Sequence, residues 1–154
     1  MMRMAHGIFM AAALLLPAPS FAKEPVMHHA KGTFEVKLAK VSAEEDTLMR
    51  MSIDKQFTGD LVASSTGQMM AGGNEANGAR VYVALETVTG TLSGKAGSFI
   101  LAHRGTMTKT GQELSVVVVP DSGTDELAGI SGTLAIDIKD GKHFYTFDYT
   151  FPAK

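Results

Sequence analysis

The sequence predicts an all-β protein, a single eight-stranded antiparallel β-barrel preceded by a signal peptide. Three observations carry this. Residues 30–151 divide into eight segments in which side chains of one character alternate with another, the two-residue period of a strand. Mostly short stretches rich in Gly, Asp, Asn and Ser separate them, as in hairpins. No segment of this region repeats at a helical period. Strands joined in this way close most simply into an up-and-down barrel, and about eight strands enclose an interior that is just filled or holds one small ligand.

Residues 1–22, MMRMAHGIFMAAALLLPAPSFA, read as a secretory signal peptide. Arg3 gives a positive start, Ile8 to Leu16 an apolar run, Pro17 and Pro19 end its helix, and Ser20 and Ala22 are the small residues before a cut. The apolar run falls short of the roughly 20 residues that span a bilayer. The mature chain is therefore expected to begin near Lys23 and to be periplasmic or secreted. Residues 23–29 are expected to form a flexible lead-in that includes His28 and His29, with the barrel domain over residues 30–151.

The first strand is expected at Gly32 to Val41, with Phe34, Val36 and Leu38 on one face. An acidic turn, Ser42 to Asp46, leads to the second at Leu48 to Thr58. There Met49, Met51, Ile53, Lys55 and Phe57 alternate with Arg50, Ser52, Asp54 and Gln56. Gly59 and Asp60 turn into the third, Leu61 to Met70, and Ala71 to Ala79 (AGGNEANGA) reads as the longest loop. The fourth, Val81 to Val88, sets Val81, Val83 and Leu85 against Tyr82, Ala84 and Glu86. After a turn at Thr91 to Ala96, the fifth strand, Ser98 to Met107, groups Phe99, Leu101 and His103. Leu114 to Val119 is the sixth, closed by Pro120, and Gly132 to Ile138 the seventh, with Leu134, Ile136 and Ile138 together. Asp140-Gly141 is a strong hairpin signal, and beyond it His143, Tyr145, Phe147, Tyr149 and Phe151 share one side of the last strand.

Several stretches carry a family likeness: RMSIDKQF from Arg50 to Phe57, GSFILAHRGTM from Gly97 to Met107, VVPDSGT from Val118 to Thr124, LAGISGT from Leu127 to Thr133, and DGKH from Asp140 to His143. Together they resemble the bacterial family called domain of unknown function 3224, over roughly Ala30 to Phe151. The resemblance implies an allene oxide cyclase-like barrel with a central cavity. It implies no reaction. Members usually lack a leader, so the signal peptide here is a departure from the family pattern.

Composition excludes whole classes of function. A formal charge of −2 argues against general nucleic-acid binding, and the absence of Cys removes disulfides, thiol catalysis and cysteine-ligated zinc. There is no glycine-rich phosphate loop and no G-x-S-x-G elbow. No cofactor is expected. No metal site is expected either, since no short metal-ligand spacing such as H-x-x-x-H is present.

Candidate ligand-binding residues follow from the alternation. Glu86, sharing a face with Tyr82, and His103, sharing one with Phe99 and Leu101, would meet in an apolar interior if both faces point inward. Burial would raise the carboxyl pKa and lower the imidazole pKa. Arg50 and Asp54, with Gln56, form a polar row that either orients a ligand carboxylate or is a solvated face. Tyr145 and Tyr149 belong to an aromatic face that is most simply core, with hydroxyls reaching the cavity or the rim. Asp121-Ser122-Gly123-Thr124 matches an aspartic-protease triplet but fits an ordinary turn better.

The leading expectation is a barrel that binds a small apolar ligand, with a few polar groups fixing its orientation. The alternatives are an isomerase or cyclase by analogy of fold, and a purely structural or homo-oligomeric barrel. An outer-membrane barrel is disfavoured because Val116 to Val119 is apolar on both faces, whereas a membrane barrel alternates apolar-out with polar-in.

Overall fold

The computed structural model describes residues 24–41 and 48–153. The signal peptide expected at residues 1–22 and the acidic turn expected at Ser42 to Asp46 lie outside the described residues. The described chain is a closed barrel of eight antiparallel strands, each paired with its neighbours in sequence and the first with the last. The strands are β1 (His28–Lys40), β2 (Met49–Gly59), β3 (Leu61–Asn74), β4 (Ala79–Leu92), β5 (Lys95–Thr108), β6 (Gly111–Val118), β7 (Ser131–Lys139) and β8 (Lys142–Thr150). Among the described residues the only helical pieces are short 3-10 turns at Glu75–Asn77 and Asp125–Leu127.

Alternation sets the inside. Phe34, Phe57, Val88, Phe99, Leu101, Val116, Leu134, Tyr145 and Phe147 all project inward and pack as one core. On β1 and β2 the intervening residues, among them Glu35, Lys37, Arg50, Asp54 and Gln56, face solvent.

Element bounds differ from the sequence expectation in three informative places. β1 starts at His28, ahead of Gly32, because His28 stacks on Tyr149 at 5.3 Å and His29 Nδ1 lies 2.7 Å from Asp148 Oδ1. Both histidines are therefore strand residues and not part of a flexible lead-in. Ala71 to Ala79 is not a long loop: β3 and β4 stay paired from Ala71 opposite Tyr82 to Asn74 opposite Ala79. Gly72 and Gly73 hid this, having no side chain to mark a face. The turn between β4 and β5 is only Ser93-Gly94, with φ of 48° and 86°, and Asp140-Gly141 repeats that geometry at 51° and 75°. Two successive left-handed residues match the twist of a tight hairpin.

The two ends of the barrel are unlike. At one end Leu61, Leu92, Phe99, Phe147 and Tyr149 are buried, and the connection from β6 to β7 folds Leu127 and Ile130 over them as a plug. Asp121-Ser122-Gly123-Thr124 lies in this connection and is a turn: Ser122 Oγ donates to the carbonyl of Val119 at 2.7 Å and accepts from the amide of Ile100 at 3.0 Å. At the other end the inward positions end in solvent, with Leu114 43% and Ile138 61% exposed. Leu38, Met49 and Met107 are exposed there too. This end is the mouth of the barrel, where among the described residues Lys40, Arg80 and Gln112 share the inner parity with these apolar side chains. The ladder is thin at one joint: β6 and β7 pair only at Val117 opposite Thr133.

Candidate functional site

Between plug and mouth, four polar side chains meet inside the apolar wall. Glu86 projects inward from β4, flanked by Gly67 on β3 and Leu101 on β5. Its Oε1 accepts from Lys55 Nζ at 2.7 Å and from His103 Nε2 at 2.9 Å, and its Oε2 accepts from Ser65 Oγ at 2.8 Å. All four residues are buried. A lone buried carboxylate costs several kcal/mol, on the order of the ion's effective desolvation penalty, and survives only when paired and hydrogen-bonded. Lys55 supplies the opposite charge and is itself held over the rings of Phe34 and Phe57, 5.0 and 5.8 Å from their centroids.

The sequence-based expectation for the Glu86 pKa is overturned. Burial does push it up, but the His103 hydrogen bond and the charge and hydrogen bond of Lys55 outweigh this and hold it down at about 2. The carboxylate is ionised at neutral pH. An ionised carboxylate only accepts, so His103 donates through Nε2 and its tautomer is set. Among the described residues, the hydrogen bond of the His103 ring is the one from Nε2 to Glu86, and no side-chain nitrogen or oxygen is both sealed from solvent and unpaired.

Tyr82 completes the inner face above Glu86. Its ring lies over Gly105, where a Cβ would fall 2.0 Å from Cε1. Burial and the Glu86 charge raise its pKa, so the phenol keeps its proton.

Glu86, His103 and Tyr82 thus share the inner face, which their alternation allowed but did not decide. The other candidates are placed elsewhere. Arg50 and Asp54 lie on the outer face of β2, since Met51, Ile53 and Lys55 take the inner one. The Tyr145 hydroxyl accepts from the amide of Leu61 at 2.9 Å and reaches the carbonyl of Thr58 at 3.3 Å, tying β8 to the β2–β3 hairpin. Tyr149 packs against His28, Phe147 and Phe151 at the plugged end. Lys55 and Ser65 were missed, although Lys55 stands in an otherwise apolar set on the inner parity of β2. A surface cleft of about 230 Å³ lies between the segment before β1 and the one after β8, with Glu24, Pro25, His28 and Phe151 in its wall. Its polar lining is exposed and unorganised, unlike the charged cluster within the barrel.

Comparison with known proteins covers most of the chain. The family model described as protein of unknown function (DUF3224) matches residues 30–149. A crystal structure of a protein of unknown function from that family, from Shewanella oneidensis MR-1, is 43% identical, with a TM-score of 0.76, covering 82% of this chain and 98% of the other. No curated protein matches the chain.

Proposed function

The chain belongs to the DUF3224 family, proteins of unknown function, and from the build of its barrel we propose that it holds a small, largely apolar ligand in the mouth, with the polar end of that ligand against His103. The observation that supports this most is the contrast between the ends: one is plugged, while the other exposes inward Leu and Ile side chains above a buried, charge-balanced cluster. An apolar wall with a few oriented polar groups is the usual design of a small-molecule site. The inner face is largely apolar around the Lys55, Ser65, Glu86 and His103 cluster, whereas the outer face carries charged residues on β1 and β2 and exposed apolar ones such as Val83 and Leu85 on β4. We also take the chain to be exported, on the strength of residues 1–22.

Binding of an apolar fluorescent probe tests the reading. Leu114→Glu and Ile138→Glu should each weaken binding at least about tenfold, while Val62→Glu, on the outer face, should leave it unchanged. Equal effects of all three would reject the mouth as the site. Native mass spectra of protein purified without detergent would reveal a ligand carried from the cell and whether the chain begins at Lys23.

A second reading, an isomerase acting on an apolar substrate, is favoured by one feature. The Glu86 carboxylate fixes the His103 tautomer and leaves Nδ1 free to take a proton. Deuterium uptake at a carbon of the bound molecule in heavy water, lost in His103→Gln, would support that reading over simple binding.

A further inference from the structure

The outer face of the barrel is not uniform. Among the described residues, the outward positions of β3 from Val62 to Met70 and of β4 from Val81 to Thr91 carry no charged side chain. Each of the other six strands carries at least one on that side: Glu35, Asp54, Arg104, Glu113, Asp137 and Asp148. On the uncharged side the apolar residues stand open to solvent, Val83 at 52% and Leu85 at 59%. The register makes them one patch. Leu85 stands between Gln68 on β3 and Ala102 on β5, and Ala102 faces Val117 on β6. Val83 stands between Met70 and Arg104. A continuous apolar patch in the middle of a sheet is unfavourable in water, and an interface removes it from water.

We propose that this face, centred on Val83 and Leu85 of β4, docks a second copy of the chain in a two-fold homodimer. The first argument is complementarity. β3 and β4 offer a charged partner nothing to pair with, whereas they match a copy of themselves. A two-fold axis along β4 lays β3 of one copy over β5 of the other. Val83, Leu85 and Thr87 then meet their own counterparts, and a hydroxyl suits its own kind because it both donates and accepts. Arg104 falls over Met70 of the other copy and not over a second Arg104, and the long Gln68 falls over the short Ala102. The second argument is area. Strands about 4.8 Å apart, rising about 3.3 Å per residue, give the face from β3 to β6 roughly 600 Å² in plan, and side-chain relief brings this near the ~800 Å² that each partner contributes to a stable association. The face lies outside the barrel wall, so this inference stands or falls without the ligand reading.

The test is sedimentation velocity of the purified protein over a range of concentrations. A dimer is expected, with a dissociation constant on the order of micromolar or tighter, as an interface of this size gives. Leu85→Glu should raise that constant at least about tenfold, while Ala135→Glu, on the outer face of β7, leaves it unchanged. Both should keep the wild-type circular dichroism spectrum. The chain has no Cys, so one introduced thiol reports on its own counterpart. Leu85→Cys should give a disulfide-linked dimer under mild oxidation and Ala135→Cys should not, which keeps the test decisive even where Leu85→Glu fails to fold. The proposal is overturned by a chain that stays monomeric at about 100 µM, by a dimer that survives Leu85→Glu, or by equal cross-linking of the two Cys variants. A monomer that pellets with lipid vesicles through Leu85 would also overturn it, and would give the face to a membrane surface.

Discussion

The Cβ that Gly67 lacks would fall 2.6 Å from the Cβ of Glu86 and 2.3 Å from the carbonyl oxygen of Leu85. β3 thus yields space at the one point where β4 carries a buried carboxylate. Gly67→Ala cannot be relieved by a side-chain rotation, since one of its clashes is with backbone. It should destabilise the fold by about 1–3 kcal/mol in urea unfolding and weaken whatever engages His103.

Lys55→Met should be more damaging. It leaves Glu86 buried without its cation, and breaking a buried pair from one side costs about 3–5 kcal/mol. The double variant Lys55→Met/Glu86→Gln should recover part of that loss. A double variant as unstable as the sum of its parts would mean that the two groups do not act as a pair.

Protonation gives a further readout. The folded pKa of Glu86, about 2, lies below the ordinary value of roughly 4.3. Its contribution to stability is complete above the ordinary value and is lost as pH falls through the folded one. Wild-type urea midpoints should therefore decline between about pH 4.3 and pH 2. Glu86→Gln should flatten that limb; an unchanged limb would assign acid sensitivity to other carboxylates.

Tyr145→Phe separates structure from site. The amide of Leu61 would lose its acceptor in a buried place, at a cost of about 1–3 kcal/mol. Binding in the mouth should be untouched, as it should be for Arg50→Ala and Asp54→Ala on the outer face. A loss of binding in any of these without a loss of fold would bring that residue back into the site.

Much of this was legible in the chain. Alternation grouped Glu86 with Tyr82 and His103 with Phe99 and Leu101 but left open which face of β4 is inner, since Val81, Val83 and Leu85 make its other face apolar, and the Asp140-Gly141 turn was readable from residue type alone. The Glu86 pKa was not, because it depends on the His103 hydrogen bond and on Lys55, which lies on a different strand, separated by β3. Its inward position was visible in the Met49, Met51, Ile53, Lys55, Phe57 series, but a lysine there gains meaning only once a carboxylate is known to face it. Arg50 and Asp54 sat on the opposite parity, and nothing in residue type distinguishes a solvated polar row from a buried one. The plug was hidden for another reason. Leu127 and Ile130 belong to no periodic segment, so their burial is a tertiary fact.

A ring under strain deforms at its weakest joint. With Val117 opposite Thr133 as their only ladder pair, β6 and β7 form that joint. Any widening of the barrel is expected to be taken up there, between Leu114 on β6 and Ile136 and Ile138 on β7. The opposite arc, where β2, β3 and β4 are laddered along most of their length, keeps its curvature. Compliance and rigidity are thus divided between the two sides of one barrel, with the Lys55–Glu86 pair on the firmer side.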